Sequence, residues 1–333
     1  MVNAELQPPA SPGAAVPGLV IRTGQDGSFS LWSEAFGEGF HSGRGALREA
    51  RETFLIPSEL ERFRPGSTIR VLEVCAGTGS NLAALLEACT AMGLGLDWTG
   101  LELDPDPLAL ALSQPAFRAP WQPGTLAILS ELLEHAGWSG PACVSSVGAG
   151  AADGVAVSSR VRMLWGDARH SLAPLLRQGS ARLDLIWHDA FSPQRCPQLW
   201  SVEFLTGLSS LLAPDGRWLS YCSAAAVREA LRLAGLQPAA LPSPARCGSA
   251  QPLWSGGTVA CRAPLPDSPL WRPLSPMELD HLACSAGEPY RDPDGSASAG
   301  QILAARGQAQ AAALASGRRS ASSAWRRRWR LQP

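Results

Sequence analysis

The sequence predicts a Rossmann-like α/β fold: a mostly parallel sheet with helices on both faces. Three observations carry that prediction. Short aliphatic runs alternate with helical ones from about residue 69 to 262. The first run, Ile69 to Val74, leads into Cys75-Ala-Gly-Thr-Gly79 and then a helix from about Asn81 to Ala91. The next, Leu96 to Leu103, ends on acidic residues some twenty positions after those glycines.

The elements follow in order. Residues 1–20 read as a disordered leader, with prolines at 8, 9, 12 and 17 and neither a basic start nor an apolar core of a signal peptide. Thr23 to Ser33, turning at Asp26-Gly27, predicts a hairpin, and Ala46 to Phe54 has apolar residues at helical spacing. After Pro107 to Leu112 the rhythm breaks. Residues 113–160 read as an insertion, with one helix from Leu126 to His135 and a floppy stretch from Gly137 to Ser159. Strands resume at Val161–Trp165, Leu183–Trp187, Arg217–Cys222 and Gly257–Arg262, with helices at Ser171–Leu176, Val202–Leu212 and Ala225–Leu233 between them. The main domain therefore covers 21–262. Residues 263–333 form a Pro-rich, loop-like segment, a helix from Gln301 to Leu314 and a basic C-terminal tail.

Composition narrows the chemistry. Apolar residues make up 45% of the 333, enough for a sizeable core, and no apolar run approaches the ~20 residues that span a bilayer. All 28 basic residues are arginine, which removes lysine-dependent mechanisms such as Schiff bases and the P-loop lysine. The eight cysteines show no Cys-x-x-Cys pair and no metal-ligand spacing, which fits a reducing cytoplasm and no metal site. Residues 301–333 carry seven arginines and no acid, leaving 21 arginines against 29 acids elsewhere. A basic tail on an acidic body suggests a polyanionic partner.

The chemistry sits at the strand ends. Gly77 and Gly79 let backbone approach a ligand, and their N–H groups at a helix start can hold a carboxylate or phosphate; the same pair also makes a plain tight turn. Glu102 closes the second strand, where one carboxylate can accept from both hydroxyls of a ribose, and Asp104 serves equally as a helix cap. Asp167 follows the next strand in Gly-Asp-Ala and can accept from an adenine amine or cap a helix. These strand ends in this order resemble class I S-adenosylmethionine-dependent methyltransferases. A dinucleotide fingerprint fits less well, since its third glycine would fall at Leu82. The loop departs from the general methyltransferase pattern at Cys75, where a first glycine is usual.

The fourth strand end reads His188-Asp-Ala-Phe-Ser-Pro193, then Pro197 to Trp200. Asp189 can orient and deprotonate an amine, which must lose a proton before in-line attack on a sulfonium. Pro193 and Pro197 stiffen the loop, and Phe191 and Trp200 either stack a base or belong to the core. His41, His170 and His188 read as structural hydrogen-bonders.

Several runs resemble the bacterial tRNA 5-(aminomethyl)-2-thiouridine methyltransferase family. They are Asp26 to Ser33, Gly45 to Phe54, Val71 to Asn81 with its Cys75, Asp189-Ala-Phe-Ser-Pro193 with Pro197 to Ser201, and in the tail Pro289-Tyr-Arg-Asp-Pro293 with Trp325 to Trp329. The resemblance implies methyl transfer from S-adenosylmethionine to the exocyclic amine of 5-aminomethyl-(2-thio)uridine at the tRNA wobble position. It implies Glu73, Gly77 and Gly79 on the methionine part of the cofactor, Glu102 on its ribose, Asp167 on its adenine and Asp189 near the amine. Ser33 and Glu49 lie in a motif similar to the family's cofactor lid. The chain looks like the methyltransferase-only form, without the FAD-dependent oxidase domain. Arg326, Arg327 and Arg328, bracketed by Trp325 and Trp329, combine phosphate charge with stacking faces for tRNA, or are a solvated end. Two alternatives remain: an aminopropyltransferase of the spermidine synthase kind, and a non-catalytic cofactor-binding RNA module.

Overall fold

The computed structural model describes residues 16–141, 157–177, 182–242 and 255–330. Among the described residues there are eleven strands: β1 (Leu19–Thr23), β2 (Phe29–Ser33), β3 (Glu38–Gly39), β4 (Thr68–Val74), β5 (Gly95–Glu102), β6 (Gly137–Pro141), β7 (Ser158–Trp165), β8 (Leu183–His188), β9 (Leu212–Ser220), β10 (Gln237–Leu241) and β11 (Gly257–Cys261). β1 to β3 form a small antiparallel sheet, and the rest form one sheet in the order β10-β11-β9-β8-β4-β5-β7-β6. The five inner strands β9, β8, β4, β5 and β7 are parallel, whereas β11 runs antiparallel to both β9 and β10.

The central strands are nearly continuous in hydrophobicity because helices cover both faces. Their alternating side chains feed two cores. Ile69, Val71, Leu185, Trp187 and Leu219 point into one, and Leu72, Val74, Ile186 and Trp218 into the other. From β4 the chain builds outward to β5 and β7, then returns across β4 to lay down β8 on its other side. That reversal puts a crevice at the carboxyl ends of β4 and β8, where open sheets bind ligands.

All six predicted core strands form, and the hairpin forms as β1 and β2, with Thr23 opposite Phe29. The Asp26 carboxylate accepts from the Ser28 N–H and from the Arg48 N–H, tying the turn to the next helix. That helix starts as Ala46–Glu49, widens into a π-helical turn at Ala50–Leu55 and closes as Ile56–Ser58.

Three expectations change. Leu19 and Val20 belong to β1, so the leader is shorter than 1–20, and residues 1–15 lie outside the described residues. The 113–160 stretch carries the helices Pro115–Arg118 and Pro123–His135, and Gly137–Pro141 is the edge strand β6, paired antiparallel with β7. Only residues 142–156 of the expected floppy stretch lie outside the description. Periodicity misses β6 because Gly-Trp-Ser-Gly-Pro has no apolar alternation, and an edge strand with one partner needs little. Finally, the Pro-rich segment is not all loop. Ser275 opens an unforeseen helix, Pro276–Ala283, through a capping box with Glu278; the expected helix from Gln301 to Leu314 forms as Ala299–Ala315, capped in the same way by Ser298 and Gln301. No helix among the described residues is long and apolar enough to cross a membrane.

Candidate functional site

A cavity of about 280 Å³ opens at the carboxyl ends of β4, β5, β7 and β8, beneath the small N-terminal sheet. Its wall includes Ser33, Gly77, Glu102, Asp167, Asp189 and Phe191, so six of the residues singled out in the sequence converge on one space.

The loop after β4 is built on left-handed backbone. Cys75 has φ +64°, Gly77 +54° and Gly79 +80°. The left-handed angle explains why glycine suits position 75, and cysteine there sits in a sparsely populated conformation. A Cβ on Gly77 would come within 3.2 Å of the Phe40 ring, and one on Gly79 within 3.0 Å of Leu108. Gly79 is not part of the cavity wall. It makes the turn into the helix Ser80–Met92, and that is its contribution.

Glu102 fixes this loop. One of its oxygens accepts the Gly77 N–H at 2.7 Å and the other the Leu103 N–H at 2.6 Å. Burial pushes its carboxyl up to about 7. Asp104 also lines the cavity, while its side chain accepts the Asp106 N–H at 3.0 Å. Asp167 is gripped by Arg169, whose Nη2 donates to Oδ2 at 2.7 Å, and its carboxyl stays below the usual range through that partner despite burial.

Glu73 does not reach the cavity. It is completely buried under the loop, accepts the Trp98 indole N–H at 3.0 Å, and burial raises its carboxyl to about 8. Glu49 is also set back from the wall, its carboxylate accepting the Ser42 N–H at 3.0 Å. Both act on the site from behind it: their charges add to the burial that lifts Asp189.

Asp189 sits just past β8, its own N–H bonded to the Val74 carbonyl at 3.0 Å. Its Oδ2 accepts from Asn81 Nδ2 at 2.9 Å, and burial holds its carboxyl well above the usual carboxylate range. Asn81 Oδ1, on the same cavity wall, is buried with no hydrogen-bond partner. The run to Asn81 carried no role for it in the sequence; a polar residue on the inward face of an apolar helix was the available signal. Phe36 and Phe40 were missed too. Phe191 stacks on Phe36 at 4.6 Å and meets Phe40 edge-on at 5.1 Å, forming an aromatic wall.

The structure overturns the base-stacking role of Trp200. The ring is fully buried, lies 4.2 Å from His188 and meets Tyr221 edge-on, and its indole N–H donates to the Phe191 carbonyl at 2.8 Å. Trp200 shapes the loop from inside. Pro193 is likewise buried and stiffens it. The tail needs a similar correction. Trp325 is buried, stacked on His281 at 3.9 Å, and donates to the Met277 carbonyl, so it presents no free face. Arg319 pairs with Glu288 and Glu229, Arg318 with Glu288 and Arg328 with Asp280, so much of the tail's charge is spent on the body's acids. Arg326 and Arg327 are exposed.

The donor set suits S-adenosylmethionine. A carboxylate at a strand end can take a diol, a second acid just past the neighbouring strand can take an amine, and the orphaned Asn81 oxygen and loop N–H groups can take an ammonium and a carboxylate. Residues 151–246 match the family model described as S-adenosyl-L-methionine-dependent methyltransferase. Fold and match together give the chain the fold of S-adenosylmethionine-dependent methyltransferases. More particularly, the chain is 32% identical over 213 residues to the tRNA 5-methylaminomethyl-2-thiouridine biosynthesis bifunctional protein MnmC of Azoarcus sp., covering 62% of this chain and 31% of that one. It is 30% identical over 220 residues to the protein of the same name in Pseudomonas aeruginosa, covering 63% and 31%. The crystal structure of MNMC2 from Aquifex aeolicus superposes with a TM-score of 0.65 at 25% identity, over 87% of this chain and 84% of that one. The chain spans about a third of the length of the MnmC proteins it matches and is homologous to them over that region.

Proposed function

We propose that the chain methylates the exocyclic amine of a 5-aminomethyl-(2-thio)uridine at the wobble position of tRNA, in the cytoplasm. The observation that carries this reading is Asp189. It is a half-buried carboxylate on the wall of the same cavity as Glu102 and Asp167, beside the Phe36–Phe40–Phe191 rings. Among the described residues that line this cavity there is no arginine, so acids and ring faces surround the bound group. Such a wall favours a cationic amine. The name of the MnmC relatives, which speaks of tRNA 5-methylaminomethyl-2-thiouridine biosynthesis, supports a tRNA 2-thiouridine as its carrier.

Bound S-adenosylmethionine supplies an electrophilic methyl group. The chain's part is to hold and deprotonate. Glu102 takes the ribose hydroxyls, Asp167 the adenine amine, and the loop around Gly77 the methionine end, with Ser33 on the N-terminal side. Asp189 accepts a hydrogen bond from the substrate ammonium and then its proton, freeing the nitrogen lone pair. A carboxylate whose proton affinity is raised by burial is the better base for this step. Asn81 keeps the Asp189 carboxylate turned toward the cavity.

The test is mass spectrometry of nucleosides after incubating the protein with S-adenosylmethionine and tRNA lacking the final methyl. A gain of one methyl on the 5-aminomethyl uridine supports the reading. Cofactor binding with no methylated nucleoside sinks it and redirects the search to small amines and diamines.

A further inference from the structure

Arg169 stands between two carboxylates that are 125 positions apart. Toward the cavity its Nε and Nη2 grip Asp167, at 3.1 Å to Oδ1 and 2.7 Å to Oδ2. Away from the cavity its Nη1 donates to Asp292 Oδ2 at 2.8 Å and to the Ala297 carbonyl at 2.9 Å. The guanidinium fork is thus shared between one acid on the cavity wall and one in the C-terminal segment, with only 15% of the Arg169 side chain exposed.

Asp292 is built in more firmly still. Its side chain is 2% exposed. Its other oxygen accepts the N–H groups of Ser296 and Ala297 at 3.2 and 3.0 Å, and its own N–H donates to Glu203 at 2.8 Å. Two residues earlier, Tyr290 is buried and bridges to Ser201, at the end of the loop that carries Asp189. A buried acid so placed does little for stability unless its partner is also held, since desolvating two charges offsets most of their attraction. A planar fork, in contrast, transmits direction well, because moving one end tilts the other.

We propose that Asp292 and Arg169 are positioning residues for cofactor binding: the C-terminal segment sets the orientation of Asp167, and hence of the adenine end, through the Arg169 fork. The inference rests on the reading of Asp167 as the adenine contact. It makes the segment around 290–297 part of the cofactor site, although none of it lines the cavity.

The experiment measures S-adenosylhomocysteine affinity by calorimetry, together with steady-state kinetics, for the full-length chain and the variants Asp167→Ala, Asp292→Asn and the two combined. Asp292→Asn keeps the shape and one acceptor, and its thermal unfolding is recorded alongside; Asp292→Glu serves as a second, charge-retaining variant. The expected result is a cofactor Kd and KM raised about tenfold by Asp292→Asn, within the range of ordinary coupling energies, with kcat at saturating cofactor unchanged. Asp292→Glu should recover part of the loss. The double variant should bind no more weakly than Asp167→Ala alone, because the effect passes through Asp167. An Asp292→Asn chain that binds cofactor normally while Asp167→Ala does not would overturn the relay and leave the adenine reading standing. An Asp167→Ala chain with normal affinity would overturn both. Additive losses in the double variant would also overturn it, since Asp292 would then act by another route.

Discussion

Asn81 and Asp189, 108 positions apart, meet through a 2.9 Å hydrogen bond from the Asn81 side-chain amide to Asp189 Oδ2. They meet because β4 and β8 pair in parallel with Val74 opposite His188, so the helix that follows one strand and the loop that follows the other start side by side. The bond holds a half-buried acid at the cavity wall and joins the two halves of the sheet at its reversal point.

Asp189→Asn should lower turnover by about 10²–10⁴-fold, the usual contribution of a positioned base, while leaving cofactor affinity intact. In the native chain, kcat/KM should climb with pH as Asp189 ionises, and its raised proton affinity places that climb above the ordinary carboxylate range. Single-turnover rates across pH 5 to 9 check both. An Asn variant with the native rate and profile would remove Asp189 from the mechanism.

Glu73 gives a stability test with a definite sign. Burial raises its carboxyl from 4.5 to about 8 in the folded chain. Between those values the folded state keeps a proton that the unfolded state gives up, so this group's contribution is full below about 4.5 and is lost as pH rises toward 8. The slope is at most about 1.4 kcal/mol per pH unit. Glu73→Gln keeps an acceptor for the Trp98 indole and should flatten the fall in stability over that window, measured by urea unfolding at several pH values. Glu102, raised to about 7, leaves a residual slope of the same sign and similar size over a narrower window that ends near pH 7.

Trp200→Ala should destabilise the fold by about 3–5 kcal/mol, as expected for emptying a fully buried aromatic site. The cost should appear in the unfolding midpoint. A variant of native stability that lost only tRNA affinity would restore the stacking role that burial argues against.

The tail separates by salt titration of tRNA binding. If Arg326 and Arg327 each touch a phosphate, replacing both by alanine should reduce the slope of log K against log salt by up to roughly 1.8, with unfolding unchanged. Arg319→Ala should behave oppositely, losing stability through the Glu288 and Glu229 pairs and leaving the salt slope nearly as it was.

Much of this was legible in one dimension. Ile69 to Val74 had to be an interior strand because six largely apolar residues ended in a Gly-rich turn. Glu102, Asp167 and Asp189 announced themselves by sitting at strand ends, where parallel sheets expose chemistry. The small-residue strands β6 and β10 were not legible. Their pairing comes from a neighbour's edge, which no local pattern encodes.

By itself the sequence determined the alternation of strands and helices, the Gly-containing turn from Cys75 to Gly79 and the acids at three strand ends, because those properties depend on neighbours a few residues away. Tertiary structure alone decided which side chains face the cavity and which face the core. Trp200, Trp325 and Glu73 looked available and are buried, while Asn81, Phe36 and Phe40 looked incidental and form the wall. It also decided that three of the tail's seven arginines, 318, 319 and 328, answer acids outside the tail, and that Arg169 links Asp167 to Asp292. Such contacts join residues from about thirty to more than a hundred positions apart, and only the folded sheet with its packed C-terminal segment fixes the direction in which each side chain points.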